Sequence, residues 1–155
     1  FMETMENSGQ GRLAVVRDLA LEIQGLMLEL DPYLDRLCRA VCPDCRDNCC
    51  ARATIFYDFK DLLYLYFSSL PFPEKQVEKC SCATGSRCIH LGQRGCTLSR
   101  AVRPFVCTWY ICPDQRRVLT RDIPGGPVLI GKWWREITAL RNHLETAFLE
   151  ALRPS

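Results

Sequence analysis

Apolar residues recur along the first part of the chain at alternating steps of three and four: Leu13, Val16, Ala20, Ile23, Met27, Leu30, Leu34, Leu37 and Val41. That spacing draws one stripe along an amphipathic α-helix. Asp31-Pro32 interrupts it, since aspartate caps a new helix and proline is tolerated at its first position. The pattern predicts helices over 12–30 and 32–41, or one kinked helix across both. The stripe is read as packing inside its own domain rather than as the seam of a coiled-coil dimer. A second pattern begins with a short strand over 53–56 and continues as a helix capped by Asp58 and running to about Leu70. Phe59, Leu62, Leu63, Leu65, Tyr66 and Phe67 leave that helix apolar on nearly every face, which marks a buried element. Pro71-Phe72-Pro73 ends it. The third pattern is Trp133, Ile137, Leu140, Leu144, Phe148 and Leu152, an amphipathic helix over about 132–152. Before it, Arg117–Thr120 and Val128–Ile130 flank Pro124-Gly125-Gly126-Pro127, which reads as a β-hairpin or wide turn.

Composition fits these patterns. With 155 residues, 48% of them apolar and 25% charged, the chain suits one globular domain over 1–155 rather than a disordered segment. Within it we distinguish a helical part at about 12–41, a cysteine-rich metal-binding part at about 42–115, and the hairpin with the last helix at about 116–152. A net charge of +2 argues against a general nucleic-acid binder. No apolar run approaches the ~20 residues of a membrane span. The first twenty residues interleave Glu3, Glu6, Arg12, Arg17 and Asp18 with apolar positions and form no secretory core, which points to the cytoplasm.

Eleven cysteines change the picture. A domain of this size folds without disulfide staples, and an odd count of thiols in a reducing compartment points to metal or redox chemistry. A disulfide-rich secreted fold is the weaker reading. The first group is Cys42-Pro43-Asp44-Cys45, followed by Cys49-Cys50. Two cysteines separated by two residues make a chelating turn, because both sulfurs can converge on one ion. Cys49 and Cys50 are adjacent and point in different directions, so a cluster or two metals suits them better than one small tetrahedral site. The second group comprises Cys88, Cys96, Cys107 and Cys112, with Cys80 and Cys82 just upstream. Cys38 falls on the first helical stripe and reads as a structural core thiol. Between Cys80 and Arg117 lie six arginines and one acid, Asp114. Such a field stabilises thiolates or an anionic cluster.

Taken together, Cys42, Cys45, Cys49-Cys50, Cys88-Ile89-His90-Leu91, Gly95-Cys96, Arg103-Pro104 and Cys107 through Cys112 resemble the cysteine-cluster family of zinc- or iron-chelating domains that opens with CxxCxxCC. The resemblance covers about residues 38–115. Here the step from Cys45 to Cys49 is one residue longer than in that pattern, and Ile89 stands where the family has proline. Carried over position by position, the resemblance implies eight metal ligands: Cys42, Cys45, Cys49, Cys50, Cys88, Cys96, Cys107 and Cys112. It implies chelation rather than a particular reaction.

The remaining candidates are few. His90 stands two residues from Cys88 and is weighed as a ligand or a hydrogen-bond donor beside one; His143 reads as exposed. A cysteine–histidine hydrolase lacks a positioned base and an oxyanion hole. The carboxylates form no evident acid–base pair. Trp133-Trp134 starts the last helix with one indole in the core. Methyl-transfer chemistry would need a partner, since no cofactor-binding glycine loop is present. The expected fold is mostly α, with a cysteine-rich, loop-rich metal-binding core and a small β-hairpin. The expected function is metal binding through thiolates. An iron–sulfur cluster for electron transfer or support of a partner enzyme leads, and a structural zinc module with no catalytic activity is the alternative. Any protein partner would dock on the amphipathic helices.

Overall fold

The computed structural model describes residues 2–45, 49, 55–72, 88–93 and 95–153, with the backbone alone at 2–10. Helix α1 spans Met2–Val41 without a break, so the two expected segments are one helix with Pro32 inside it. A proline there removes one backbone hydrogen bond and crowds the preceding turn, at about 3 kcal/mol. Leu30, Leu34 and Leu37 continue the buried stripe across that point. Burying each contributes about 1.5–3 kcal/mol, so continuity wins. Asp31 is not a cap either, because its Oδ1 accepts from Arg100 Nε at 2.9 Å. The stripe holds from Val16 to Leu37, while Leu13 is exposed and Val41 only half-buried.

Helix α2 spans Phe59–Phe67 and starts as expected at Asp58. Asp58 and Asp61 form a reciprocal capping box: each side chain accepts from the other's backbone N–H, at 2.8 and 3.1 Å. The helix stops short of Leu70, with Ser69 in the left-handed region at φ 55°. The Ser68 hydroxyl donates to the Ala20 carbonyl of α1 at 3.1 Å. Of the strand expected over 53–56, Ile55 and Phe56 are in no strand, and residues 53 and 54 lie outside the described residues.

Strands β1 (Leu91–Gly92) and β2 (Gly95–Cys96) form a small antiparallel hairpin, with Leu91 opposite Cys96 and Gly92 opposite Gly95. A 3₁₀ turn at Arg100–Val102 follows, then short α3 (Val106–Trp109), α4 (Pro113–Asp122) and α5 (Gly126–Ala151). The hairpin expected around Pro124–Pro127 is therefore an error of type: both flanks are helical. Its apolar runs are too short to distinguish a strand from a turn of helix by periodicity. Leu119 and Ile123, then Ile130, Ile137 and Leu144, turn out to be core positions at helical steps. The glycines make a tight corner between helices instead. Gly125 takes φ 68°, and the Gly126 N–H donates to the Ile123 carbonyl at 2.9 Å. Pro127 sits in the first turn of α5, which begins several residues before the expected 132.

Helices α1 and α5 pack along each other, with α2 and α4 against both. Val16, Ala20, Ile23, Met27, Leu30 and Leu37 meet Ile130, Ile137, Leu144 and Leu63–Leu65 in one core. No helix among the described residues is long and apolar enough to cross a membrane.

Candidate thiolate centres

The helical register at the C-terminal end of α1 brings Cys38 and Cys42 to one face, four residues apart. The Cys42 N–H still donates to the Cys38 carbonyl at 2.8 Å. Cys112 joins them as N-cap of α4, its Sγ accepting from the Gln115 N–H at 3.4 Å. Gln115 returns the bond, its Oε1 accepting from the Cys112 N–H at 3.2 Å. The other end of the same buried amide donates to Cys38 Sγ at 3.5 Å and to Cys42 Sγ at 3.7 Å. Arg100, also buried, places Nη2 3.8 Å from Cys38 Sγ. Electrostatics separates the pair. The hydrogen bond from Cys42 draws the Cys38 thiol down to about 6 against its burial, with Arg100 and Arg103 helping. The same bond pushes Cys42 up, as do burial and the fields of Cys38, Cys49 and Cys112.

A second group stands on the hairpin. The Leu91 N–H donates to the Cys88 carbonyl at 3.1 Å, and the Thr97 N–H to the His90 carbonyl at 2.8 Å. These bonds fold the turn that carries Cys88 and Cys96. Cys107 approaches them from α3, its N–H donating to the Pro104 carbonyl at 2.9 Å. Burial first, then the fields of Cys96 and Cys88, push the Cys107 thiol up to about 12 against the pull of Arg103. Burial and the same three sulfurs, with Asp61, push the Tyr57 phenol up; its hydroxyl donates to the Val102 carbonyl at 2.7 Å. Arg103 is occupied with the Leu98 carbonyl, donating through Nε and Nη2 at 2.9 and 2.8 Å.

The segment carrying Cys107 is anchored by charges that sequence reasoning passed over. Arg141 of α5 is buried and donates to Asp61 Oδ1 at 2.6 Å and to both Asp58 oxygens at 2.8 Å. Asp61 Oδ1 also accepts from the Phe105 N–H at 3.1 Å, and the Arg141 guanidinium lies 4.5 Å from the Phe105 ring centre. Burial pushes Asp61 up, while Arg141 and two backbone N–H donors pull it back. Asp58 as a helix cap was the legible part of this network; its reciprocal partner Asp61 and an arginine inside an apolar helix face were not.

The structure thus divides the eight expected ligands. Cys42, Cys49 and Cys112 belong to the first group, and Cys88, Cys96 and Cys107 to the second. Cys45 follows Cys42 by one turn, its N–H donating to the Cys42 carbonyl at 3.3 Å. Cys50, Cys80 and Cys82 lie outside the described residues. Cys38, expected as a core thiol, is only half-buried and stands in the first group, because its side chain faces Gln115 and Arg100 rather than the leucine stripe. His90 is half-buried beside the hairpin and His143 is exposed. Trp133 packs on Tyr33 of α1, ring centres 5.2 Å apart, as a core aromatic. Among the described residues, no three His, Cys, Asp or Glu side chains converge closely enough to enclose a metal ion as they stand. In donor type the first group fits one: several sulfurs with an amide and a guanidinium directed at them. The chain matches no family model, no curated protein and no solved structure.

Proposed function

We propose that the protein binds metal through its cysteine thiolates and holds an iron–sulfur cluster, serving one-electron transfer or the support of a partner enzyme. The observation that carries this reading is the buried Gln115 amide, whose one nitrogen donates to Cys38 and Cys42 while its own backbone N–H donates to Cys112. Neutral thiols are weak acceptors, and a buried amide donor spent on sulfur is repaid when that sulfur is anionic. The six arginines in the sequence from Cys80 to Arg117 suit an anionic cluster, and the adjacent Cys49-Cys50 suits several metal atoms. On this reading a cysteine-rich centre occupies the end of α1, with a second beside the hairpin. Cys38, Cys42, Cys45, Cys88, Cys96, Cys107 and Cys112 are free thiols, the state a reducing cytoplasm maintains. Exposed Val15, Leu21 and Leu28 on α1 offer a partner apolar surface.

A structural zinc module is the second reading, favoured by the hairpin, which holds Cys88 and Cys96 on one short turn in the manner of a closed zinc site. Protein purified without oxygen is expected to be brown, with visible absorption, an electron paramagnetic signal after reduction, and iron and sulfide on analysis. A colourless protein carrying zinc gives the second reading its place. Absence of any metal, with every thiol reacting freely, overturns both.

A further inference from the structure

We infer that Cys38 and Cys42 form a redox-active dithiol that closes to a disulfide by exchange with a small-molecule disulfide, and that Gln115 is the positioning residue that favours its open, reduced form. The inference does not rest on the proposed function: it concerns the metal-free chain, in which both thiols are free and half-buried. The Cys42 N–H donates to the Cys38 carbonyl at 2.8 Å, so helical spacing persists from one to the other. Four residues of α-helix rise about 6 Å, inside the window of about 4.4–6.8 Å that a disulfide sets between Cα atoms. The sulfurs lie on the same side, because one buried nitrogen, Gln115 Nε2, stands 3.5 Å from Cys38 Sγ and 3.7 Å from Cys42 Sγ. Cβ atoms four positions apart on a helix are separated by about 5–6 Å, against about 3.5–4.5 Å in a disulfide. Closure therefore tightens the turn. Cys42 stands just past Val41, the last residue of α1, so the tightening falls on the end of the helix.

The Cys38 sulfur faces the buried Arg100 guanidinium, with Nη2 at 3.8 Å, as well as the Gln115 amide. Both donors stabilise negative charge there, so Cys38 attacks one sulfur of the reagent RS–SR, forms a mixed disulfide and releases the first RS⁻. Cys42 then attacks the Cys38 sulfur of that mixed disulfide, forms the Sγ–Sγ bond and expels the second RS⁻. The two thiol protons of the protein end on two molecules of RSH; the protein gives up two electrons and the reagent takes them. Closure deprives the Gln115 amide of two acceptors, since disulfide sulfur accepts more weakly than thiol or thiolate sulfur. Strain in the turn and the lost donors both favour the dithiol, which makes the disulfide an easily reduced one.

The test uses the full chain, stripped of metal with a chelator under reductant and equilibrated without oxygen in mixtures of oxidised and reduced glutathione. Thiols are quenched with N-ethylmaleimide, and the protein is digested with trypsin and mapped by mass spectrometry. Cleavage after Arg36, Arg39 and Arg46 leaves Cys38 in residues 37–39 and Cys42 with Cys45 in residues 40–46. The two peptides are expected to be joined when oxidised glutathione is in excess, with fragmentation before Pro43 assigning the link to Cys42. Excess reduced glutathione is expected to open it. A link from Cys38 to Cys45 or Cys112, a link between Cys42 and Cys45, or Cys38 and Cys42 left unjoined at every ratio overturns the inference. Cys42→Ser is expected to accumulate the mixed disulfide of Cys38 with glutathione, which the wild-type chain resolves; a Cys38 that stays unmodified there is not the attacking sulfur. Gln115→Met keeps the length of the side chain and removes the amide. The ratio of disulfide to dithiol in a fixed glutathione mixture is expected to rise about 2–10-fold, with helix content unchanged. An unchanged ratio shows that Gln115 serves α4 alone and overturns its part in the pair.

Discussion

Arg141 brings a full charge into the core, its side chain 4% exposed, and its guanidinium donates to Asp58 and Asp61 and lies over the Phe105 ring. An arginine so placed is stable only while its partners are present. Asp61→Asn retains the shape but leaves the guanidinium without one of its two anions, and is expected to cost about 3–5 kcal/mol in urea unfolding. A cost below about 1 kcal/mol would show that the aspartate is there for its backbone bonds alone. Tyr64 is the opposite case. Its hydroxyl is buried with no hydrogen-bond partner among the described residues, and burial holds its phenol above the ordinary range despite Arg141. The unfolded phenol ionises near pH 10, so above that pH the unfolded chain loses protons that the folded one keeps, and stability falls. Tyr64→Phe is therefore expected to match or exceed wild-type stability at pH 7 and to decline less between about pH 10 and 11, as read by thermal melts. Asp58 was legible as a cap because capping is local chemistry. Arg141 and Gln115 were not, because a polar residue on a helix reads as solvated until the element opposite it is known.

Among the elements, the corner between α4 and α5 shows how little separates a hairpin from a helix pair on paper. The same Pro-Gly-Gly-Pro serves either, and only the positions of Leu119, Ile123 and Ile130 in the core decide. The two glycines are needed for different reasons. A Cβ on Gly126 would meet Leu119 Cδ1 at 2.6 Å and Ile123 Cβ at 3.0 Å, whereas one on Gly125 meets open space but inherits φ 68°. Gly126→Ala is expected to cost about 1–3 kcal/mol through overpacking, and Gly125→Ala about 1–2 kcal/mol through the left-handed backbone. The two are separable, since Gly125→Asn should recover part of its loss, asparagine tolerating that region, while Gly126→Asn should worsen. Equal effects at both positions, measured as shifts in denaturation midpoint, would contradict this account of the corner. Long elements were readable because their stripes run for many turns: α1 and α5 follow the three-and-four spacing over most of their length. Their ends were not, because Pro32 and Pro127 carry the same local signal whether a helix starts, stops or continues. The paired strands at Leu91–Gly92 and Gly95–Cys96 are too short to leave any alternation at all.

At the scale of the molecule, apolar packing and sulfur occupy different territory. The core from Val16 to Leu37 of α1 and from Ile130 to Leu144 of α5 is built of aliphatic side chains. Residues 88–112 contribute Val102 and Ile111 to its buried apolar set, with Leu98 and Phe105 packed partly against it, and are tied further through Asp61, Arg103 and Tyr57. A segment with so few buried apolar contacts draws its order from polar ties and, on the proposed function, from metal. Removing the metal should then act unevenly. At a free metal concentration 1,000 times Kd, binding contributes about 4 kcal/mol to apparent stability, and chelation is expected to lower the melting midpoint accordingly. The helical circular dichroism below that midpoint should persist, because α1 and α5 bury their stripes without help from sulfur. Hydrogen exchange resolves the two territories directly. The amides of Leu91, Thr97, Cys107 and Thr108, bonded to loop carbonyls, should exchange faster once metal is removed. Those of Ile23, Met27 and Leu30, deep in α1, should not change. If all of these amides accelerate together, the metal supports the whole fold rather than the thiol-bearing segment, and the division between an apolar helical frame and a metal-ordered loop region fails.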